Sequence, residues 1–250
     1  MTRSARADPR ATRIAVAVAD TGPAWTLLDS GDAVAPRPVW SRGPLLRCAL
    51  VGIRMMLLGD DHVGLHVEVG AGAALELVEP SGIVAHDAGG VASSLSMVVR
   101  VGDGGSFLYD GAPLVAATGA DVTRSLTVVL GRDARALVRE TSVRGRTGET
   151  GGRILSRVRV RDAVGDVLAE DLGLGTDEAD LPGILPGVRT VDSTFAVGWD
   201  APDLEDVPAD ATLRLDEPGG IVRALARQGE RLAPSAGLAY TAWRASALAR

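Results

Sequence analysis

Short apolar runs and glycine-containing turns alternate along this chain, and one such arrangement occurs three times between residues 67 and 141. The copies read VEVGAGAALELVEP, VRVGDGGSFLYDGAP and VVLGRDARALVRET. Their anchoring glycines, Gly70, Gly102 and Gly131, lie 32 and then 29 residues apart. Repeats of this period are typical of one supersecondary unit stacked on its neighbours. The pattern therefore predicts similar units packed in layers, each burying apolar surface of the next.

Most of the apolar runs have the length and composition of β-strands. They are four to eight residues long, rich in β-branched residues, and bounded by Gly, Asp or Pro. In residues 63–69 the apolar side chains share one face, which predicts one buried and one solvated side. The predicted fold is mainly β, with stacked or layered sheets and β-helix-like internal hairpin repeats. Strands are predicted at residues 14–18, 45–50, 53–58, 63–69, 74–78, 94–101, 106–109, 125–130, 136–141, 154–161, 167–172, 190–199 and 211–215.

The two ends of the chain have a different pattern. Residues 1–13 are predicted to form a flexible arm, followed by a single mainly β domain over residues 14–250. Within that domain, the proline-rich residues 34–44 indicate an extended connector. The spacing of apolar residues predicts a helix over 218–229 and another over 237–250. We therefore expect two or three short helices in the C-terminal part, about residues 218–250.

Composition narrows the classes of function. The chain is 46% hydrophobic and 23% charged, as in folded globular proteins. Its net charge is −6, which disfavours nucleic acids and anionic membranes as main partners. Lysine is absent, so the phosphate-binding loop of nucleotide hydrolases is missing. There is no apolar run of about 18 residues, and Cys48 is the one cysteine, so we expect a cytoplasmic protein without a membrane span.

Carboxylates are the most promising chemical groups. Glu79, Asp110 and Glu140 each follow the second apolar run of a repeat, so stacking is expected to bring them into a row. Buried carboxylates are costly unless they are paired, hydrogen-bonded or bound to a cation. By contrast, His62 and His66 are predicted on one solvated strand face, about 13 Å apart, which does not favour a shared metal.

The ordered motifs of the chain resemble those of the urease accessory protein D family, and its actinobacterial branch in particular. The resemblance begins with LLGDDHVGLHVEVGAGAALELVEPSGIVAHD and continues through FLYDGAPLVAATGADVTRSLTVVLGRDARALVRETSVRGRTGETGG. That second segment contains Gly131-Arg132, Gly145-Arg146 and Gly148-Glu149, and RVRVRDAVGDVLAEDLGL resembles the strand pair that follows. The match covers about residues 37–200. At residues 82–87 the chain has GIVAHD where many members carry Thr-Lys-x-Tyr-Arg.

This resemblance implies a urease maturation factor that is not an enzyme. Members act with urease accessory proteins F and G, the latter a GTPase, and with the urease apoprotein. The family role implies passage of Ni²⁺ through an internal polar tunnel, with the metal bound transiently and no permanent cofactor. The implied fold is mainly β, with stacked layers and late helices.

We therefore predict that Asp60, Glu140, Glu170 and Asp171 line a transient Ni²⁺ path. Leu225, Trp243 and Leu248 are predicted to form a partner-docking surface, with ordinary core packing as the alternative. Two other functions stay open: a β-stacked carbohydrate hydrolase or lyase using paired carboxylates, and a generic protein-interaction module. The low aromatic content, 3%, disfavours a sugar-binding platform.

Overall fold

A computed structural model describes residues 10–39, 43–228 and 231–249, which form two β-sheets and one α-helix. Residues 1–9, the greater part of the predicted arm, lie outside the described residues. The strands are β1 Thr12–Ala19, β2 Gly22–Asp29, β3 Val34–Val39, β4 Leu45–Gly52, β5 His62–Val69, β6 Ala74–Val78, β7 Ile83–Ala85, β8 Ser93–Val101, β9 Ser106–Asp110, β10 Leu114–Ala116, β11 Asp121–Leu130, β12 Arg135–Arg144, β13 Arg153–Arg161, β14 Asp166–Leu174, β15 Thr190–Val197, β16 Thr212–Arg214 and β17 Gly219–Ala226. A 3₁₀ turn spans Ala209–Ala211, and α1 spans Ser235–Leu248.

The chain passes repeatedly from one sheet to the other, which confirms the predicted stacked β architecture. The seven-stranded sheet has the order β14-β13-β11-β8-β5-β1-β2. The ten-stranded sheet has the order β16-β17-β15-β12-β9-β6-β4-β3, with β10 paired to β12 and β7 paired to β10. β5, β8 and β11 pair in parallel in the first sheet, and β6, β9 and β12 pair in parallel in the second. Each sequence repeat is thus one layer of a β-solenoid.

The anchoring glycines form the corners where the chain turns from one sheet into the other. The Gly102 N–H donates to the Val69 carbonyl at 2.7 Å, and the Gly131 N–H donates to the Val101 carbonyl at 2.7 Å. A Cβ on Gly102 would lie 2.7 Å from the backbone nitrogen of Ala71. Successive corners therefore stack so closely that only glycine fits there.

The main core lies between the two sheets. Strand β5 alternates buried and exposed residues, with Val63, Leu65, Val67 and Val69 turned inward. His62 and His66 are exposed on the opposite face, as the sequence predicts. A second core lies on the outer face of the ten-stranded sheet beneath α1. Its fully buried members include Leu108, Leu137, Ala196, Val222 and Ala239.

An ion-pair cluster also holds α1 against this outer face. Glu76 of β6 is 1% exposed and accepts hydrogen bonds from Arg244 Nε and Nη2, both at 2.7 Å. Arg47 approaches Glu76 at 3.1 Å, and the Tyr240 hydroxyl donates to it at 3.3 Å. Burial opposes ionisation of Glu76, but the hydrogen bond and charge of Arg244 hold its pKa below the ordinary value.

The predicted helix over 218–229 and the predicted extent of the N-terminal arm are wrong. Residues 219–226, predicted as helix, form β17, because their side chains pack on both faces of the sheet beside β15. The described residues therefore contain one α-helix and one 3₁₀ turn rather than two or three helices. At the N-terminus, the predicted arm extends too far, since Thr12 begins β1 and its hydroxyl donates to the Val34 carbonyl at 2.7 Å.

Three further features complete the description. The proline-rich residues 34–39 form edge strand β3, where proline does not interrupt a central ladder. Residues 53–58, predicted as a strand, lie outside the strands. No helix in the described ranges is long and apolar enough to cross a membrane.

Adding one methyl group at a solenoid corner is expected to destabilise the fold. Gly102→Ala places a Cβ against the Ala71 backbone, so we expect the free energy of unfolding to fall by about 1–3 kcal/mol. Gly165→Ala is the matched control, since a Cβ there meets nothing within 4 Å. Urea denaturation followed by circular dichroism measures both variants. Equal stability of the two variants would contradict the close stacking of the corners.

Removing the charge of Glu76 is expected to weaken the attachment of α1. Glu76→Gln should lower the free energy of unfolding by about 2 kcal/mol at pH 7. This is less than the loss expected for a fully buried ion pair, because both arginines are partly exposed to solvent. Because the folded-state pKa of Glu76 lies below its ordinary 4.5, this contribution is present above pH 4.5. The deficit should therefore shrink as the pH falls below 4.5. Glu68→Gln, on the exposed face of β5, is the control; a deficit that persists unchanged in acid would contradict the ionic role.

Candidate functional site

A cluster of charged and hydroxyl side chains lies between the two sheets, where the rest of the core is apolar. We call it the inner polar cluster. It arises because inward-facing positions of adjacent strands are in register: Glu140 pairs with Ser193, and Ser193 pairs with Arg223. Across the interior, Arg124 is in register with Ser156 on the seven-stranded sheet. Its members are Glu79, Tyr109, Arg124, Glu140, Ser142, Ser156, Glu170, Ser193 and Arg223.

Arg124 and Glu140 join the two sheets at the centre of the cluster. They are 6% and 5% exposed, and Arg124 Nε lies 3.3 Å from Glu140 Oε1. Arg124 Nη2 also donates to the Ser142 hydroxyl at 2.9 Å. Burial raises the pKa of Glu140, the charge of Arg124 opposes this, and the nearby Glu170 raises the pKa further. Glu170 is therefore close enough to Glu140 to disfavour ionisation of Glu140.

Glu170 continues the cluster towards β17. Arg223 Nη2 donates to Glu170 Oε2 at 2.7 Å, and Arg223 Nε donates to the Ser193 hydroxyl at 2.8 Å. A small cavity of 10 Å³ is bordered by Glu140, Ser156, Glu170 and Ser193. A volume of about 10–15 Å³ admits a single water molecule. This interior space is thus of the size of a water or a bare ion.

Glu79 connects the cluster to a larger opening. Its Oε2 accepts the Ala112 N–H at 2.9 Å, and it lines a cavity of 280 Å³ together with Arg54, Met56 and His86. Burial raises the pKa of Glu79 to about 7, with the charge of Glu140 contributing in the same direction. Glu79 therefore lies at the mouth of the interior, within electrostatic reach of Glu140.

The structure brings together two of the four residues predicted to line a metal path. Glu140 and Glu170 border the same cavity. Asp171 follows Glu170 on β14 and consequently points to the opposite face, where Arg159 Nη2 donates to it at 2.5 Å. Its side chain is 45% exposed.

Asp60 lies in an exposed turn, apart from the inner polar cluster. Its backbone is left-handed, with φ of 66°, and its side chain is 49% exposed. Its Oδ1 is 3.9 Å from His62 Nε2. The buried neighbour Asp61 organises this turn, since Leu58 N–H donates to Asp61 Oδ2 at 3.1 Å and Arg54 pairs with the same oxygen at 3.2 Å.

The expected row of carboxylates is correct for two of its three members. Glu79 and Glu140 both face the interior, but Asp110 faces the outer side, where Arg139 lies 3.6 Å away. The cause is visible in the sequence. Glu79 and Glu140 lie nine residues after their corner glycines, whereas Asp110 lies eight residues after Gly102. Strand side chains alternate between faces, so this difference of one residue reverses the direction of Asp110.

The thiol of Cys48 and the potential metal ligands of the described residues do not form a separate reactive site. Cys48 is fully buried, and burial raises the pKa of its thiol to about 11, which makes it unreactive. Within the described ranges, no three or more His, Cys, Asp or Glu side chains are grouped so that they could hold a metal ion. The inner polar cluster instead offers carboxylates spaced along the interior, each beside an arginine or a hydroxyl.

The predicted docking residues lie in different environments. Trp243 is 3% exposed, and its Nε1 donates to the Pro202 carbonyl at 2.8 Å. Leu248 packs against the same outer core, so both side chains take part in packing of the free chain. Leu225 is 47% exposed near the end of β17.

Comparison with known proteins identifies the family. A family model described as UreD urease accessory protein matches residues 56–250. Urease accessory protein UreD 1 of Streptomyces griseus is 43% identical over 199 residues, covering 79% of this chain and 77% of that protein. UreD of Frankia alni is 36% identical, covering 68% of this chain and 64% of that protein. UreD of Streptomyces avermitilis is 30% identical, with 77% of each chain covered. As its sequence motifs predict, this chain belongs to the UreD family of urease accessory proteins.

Proposed function

We propose that this chain serves urease maturation as a non-catalytic scaffold that carries Ni²⁺ through its interior to the urease apoprotein. Accessory proteins F and G are the proposed source of the metal. Nickel is the cargo in this scheme and binds transiently. Family membership supports the role in urease maturation. The inner polar cluster is the observation that supports passage through the interior.

The charges of the cluster suit a cation in transit. Glu79, Glu140 and Glu170 supply three carboxylates, against the two guanidinium groups of Arg124 and Arg223. An entering cation can therefore compete with the arginines for carboxylate oxygens. Oxygen ligands hold divalent ions less firmly than thiolates or imidazoles, and conduction requires sites from which the ion can leave. In this scheme Ni²⁺ enters beside Glu79 and moves past Glu140 to Glu170.

The same geometry disfavours a carbohydrate-cleaving enzyme. Glu140 and Glu170 border a cavity of 10 Å³, which excludes a sugar ring. Both carboxylates are also engaged by arginines at 3.3 and 2.7 Å. A generic interaction module would not require buried charges, which are costly to desolvate. A path for a cation, in contrast, requires carboxylates in the interior.

The proposed role requires the chain for activation of urease in cells. In a strain supplied with nickel, the cognate urease genes and accessory proteins F and G are expressed with or without this chain. We expect urease to assemble in both cases but to contain little nickel and show little activity when the chain is missing. Metal analysis of purified urease measures the outcome. Fully active, nickel-loaded urease without the chain would reject the proposal.

Neutral variants of the interior test the path itself. We expect Glu140→Gln and Glu170→Gln each to lower the nickel content of urease about tenfold. This corresponds to a loss of about 1.4 kcal/mol in the free energy of cation binding at the substituted carboxylate. Asp171→Asn is the matched control, because Asp171 adjoins Glu170 but faces outward.

Loss of folding must be separated from loss of transit in this experiment. Each variant is therefore purified with its partners, and its unfolding temperature is measured. Normal assembly with low nickel supports the path. Nickel loading by both interior variants equal to that of Asp171→Asn would show that the metal does not pass between Glu140 and Glu170.

A further inference from the structure

A second polar feature lies at the other end of the ten-stranded sheet, where β12 ends and β15 begins. A cleft of 780 Å³ is lined there by Arg146, Arg189, Thr190 and Arg227, with Val115 and Val143 among its apolar contacts. None of the described residues in its lining is Asp or Glu. This is notable in a chain whose net charge is −6. Residues 145–148, which belong to the glycine-arginine and glycine-glutamate motifs singled out in the sequence, form one wall.

Two of these three arginines have no carboxylate partner in the described part of the chain. Arg146 is neutralised by Glu149, whose Oε1 lies 2.6 Å from Arg146 Nη2. Arg189 donates from Nη2 to the backbone carbonyl of Glu149 at 2.5 Å, which satisfies only part of its five-donor guanidinium. Arg227 is exposed and forms no hydrogen bond or ion pair with any residue that the structure describes. Among the described residues, the cleft therefore carries positive charge that no carboxylate compensates.

Thr190, which lines the same cleft, has a buried hydroxyl without a partner in the described residues. Thr190 is 2% exposed, and its Oγ1 has no hydrogen-bond partner among the described residues. The backbone of Thr190 is held between Val143 and Ala226, so the sheet fixes the point from which this side chain projects. Buried polar groups are normally hydrogen-bonded, and leaving one unpaired is unfavourable. An acceptor atom placed in the cleft would satisfy this group.

The surroundings of the cleft favour an extended protein segment as its occupant. Strand β16 pairs with β17 only from Gly220 to Val222, so no described strand covers the remainder of that edge towards Arg227. Leu225, on this uncovered part, is 47% exposed. An uncovered strand edge offers backbone hydrogen bonds to an extended chain, and guanidinium groups offer bidentate bonds to carboxylates.

We propose that this cleft binds an extended acidic segment of a partner protein. Carboxylates of that segment accept hydrogen bonds from Arg189 and Arg227. One of these carboxylates also accepts a hydrogen bond from the Thr190 hydroxyl. The occupant is protein rather than nucleic acid, because the negative net charge of the chain opposes a long polyanion. The proposal goes beyond nickel transit and does not depend on it, since none of these residues belongs to the inner polar cluster.

Binding of a labelled hexaglutamate peptide to the full chain, measured by fluorescence anisotropy at low salt, tests the proposal. A hexaglutamine peptide with the same label is the comparator. We expect the hexaglutamate peptide alone to bind, and Arg189→Gln and Arg227→Gln each to weaken its binding about tenfold. Arg161→Gln, an exposed arginine at the end of β13, is the matched control and should leave the affinity unchanged.

Thr190→Val separates a binding role from a structural one. Because the hydroxyl is unpaired in the free chain, its removal should leave the unfolding temperature unchanged or higher, while lowering affinity for hexaglutamate severalfold. A lower unfolding temperature would show that the hydroxyl is already satisfied, which contradicts the proposal. Failure of hexaglutamate to bind, or full affinity in Arg227→Gln, would also overturn it. Tighter binding of citrate or of a thymidine dodecanucleotide than of the peptide would identify a small-anion or nucleic-acid site instead.

Discussion

The close stacking of the corner turns is the constraint on which the rest of the structure depends. Each corner joins a strand of one sheet to a strand of the other, so its position sets the register of both. The N–H groups of Gly102 and Gly131 donate to carbonyls of the preceding layer, and a Cβ at either position would meet backbone atoms at 2.7 Å. A slip of one residue would turn apolar side chains outward and charges to the wrong face. Glycine at the corners therefore determines which residues become interior.

That register places ionised groups inside the molecule, where they persist because they are paired across structural elements. Arg124 of one sheet meets Glu140 of the other, and Arg223 of β17 meets Glu170 of β14. Separating either pair would leave an isolated buried charge, which is costly. Each pair therefore also holds together elements that are distant in sequence. Glu76 has the same relation to α1 on the outer face. In both places, a buried carboxylate is stabilised by an arginine from an element that is distant in sequence.

The sequence was sufficient for features that depend on local periodicity. Repeats, the stacked β class and the inward direction of residues such as Val67 follow from spacing alone, and counting from the corner glycines also separates Glu140 from Asp110. Features that depend on distant partners could not be predicted in this way. The Ile221 to Leu225 spacing suited a helix until the neighbouring strand β15 was known. Burial of Trp243 likewise depends on the outer sheet face beneath α1.

The distribution of satisfied and unsatisfied groups distinguishes the two polar regions of the molecule. In the inner polar cluster, Glu140 and Glu170 each have an arginine partner, so a cation on the proposed path would have to displace an existing interaction. In the cleft at the end of β12, Arg227 and the Thr190 hydroxyl have no partner in the described part of the chain. Exchange of partners suits passage, whereas unsatisfied groups suit lasting attachment. In the two proposals, the regions therefore have different tasks: the inner polar cluster would release the ion that enters it, and the cleft would retain the segment that binds there.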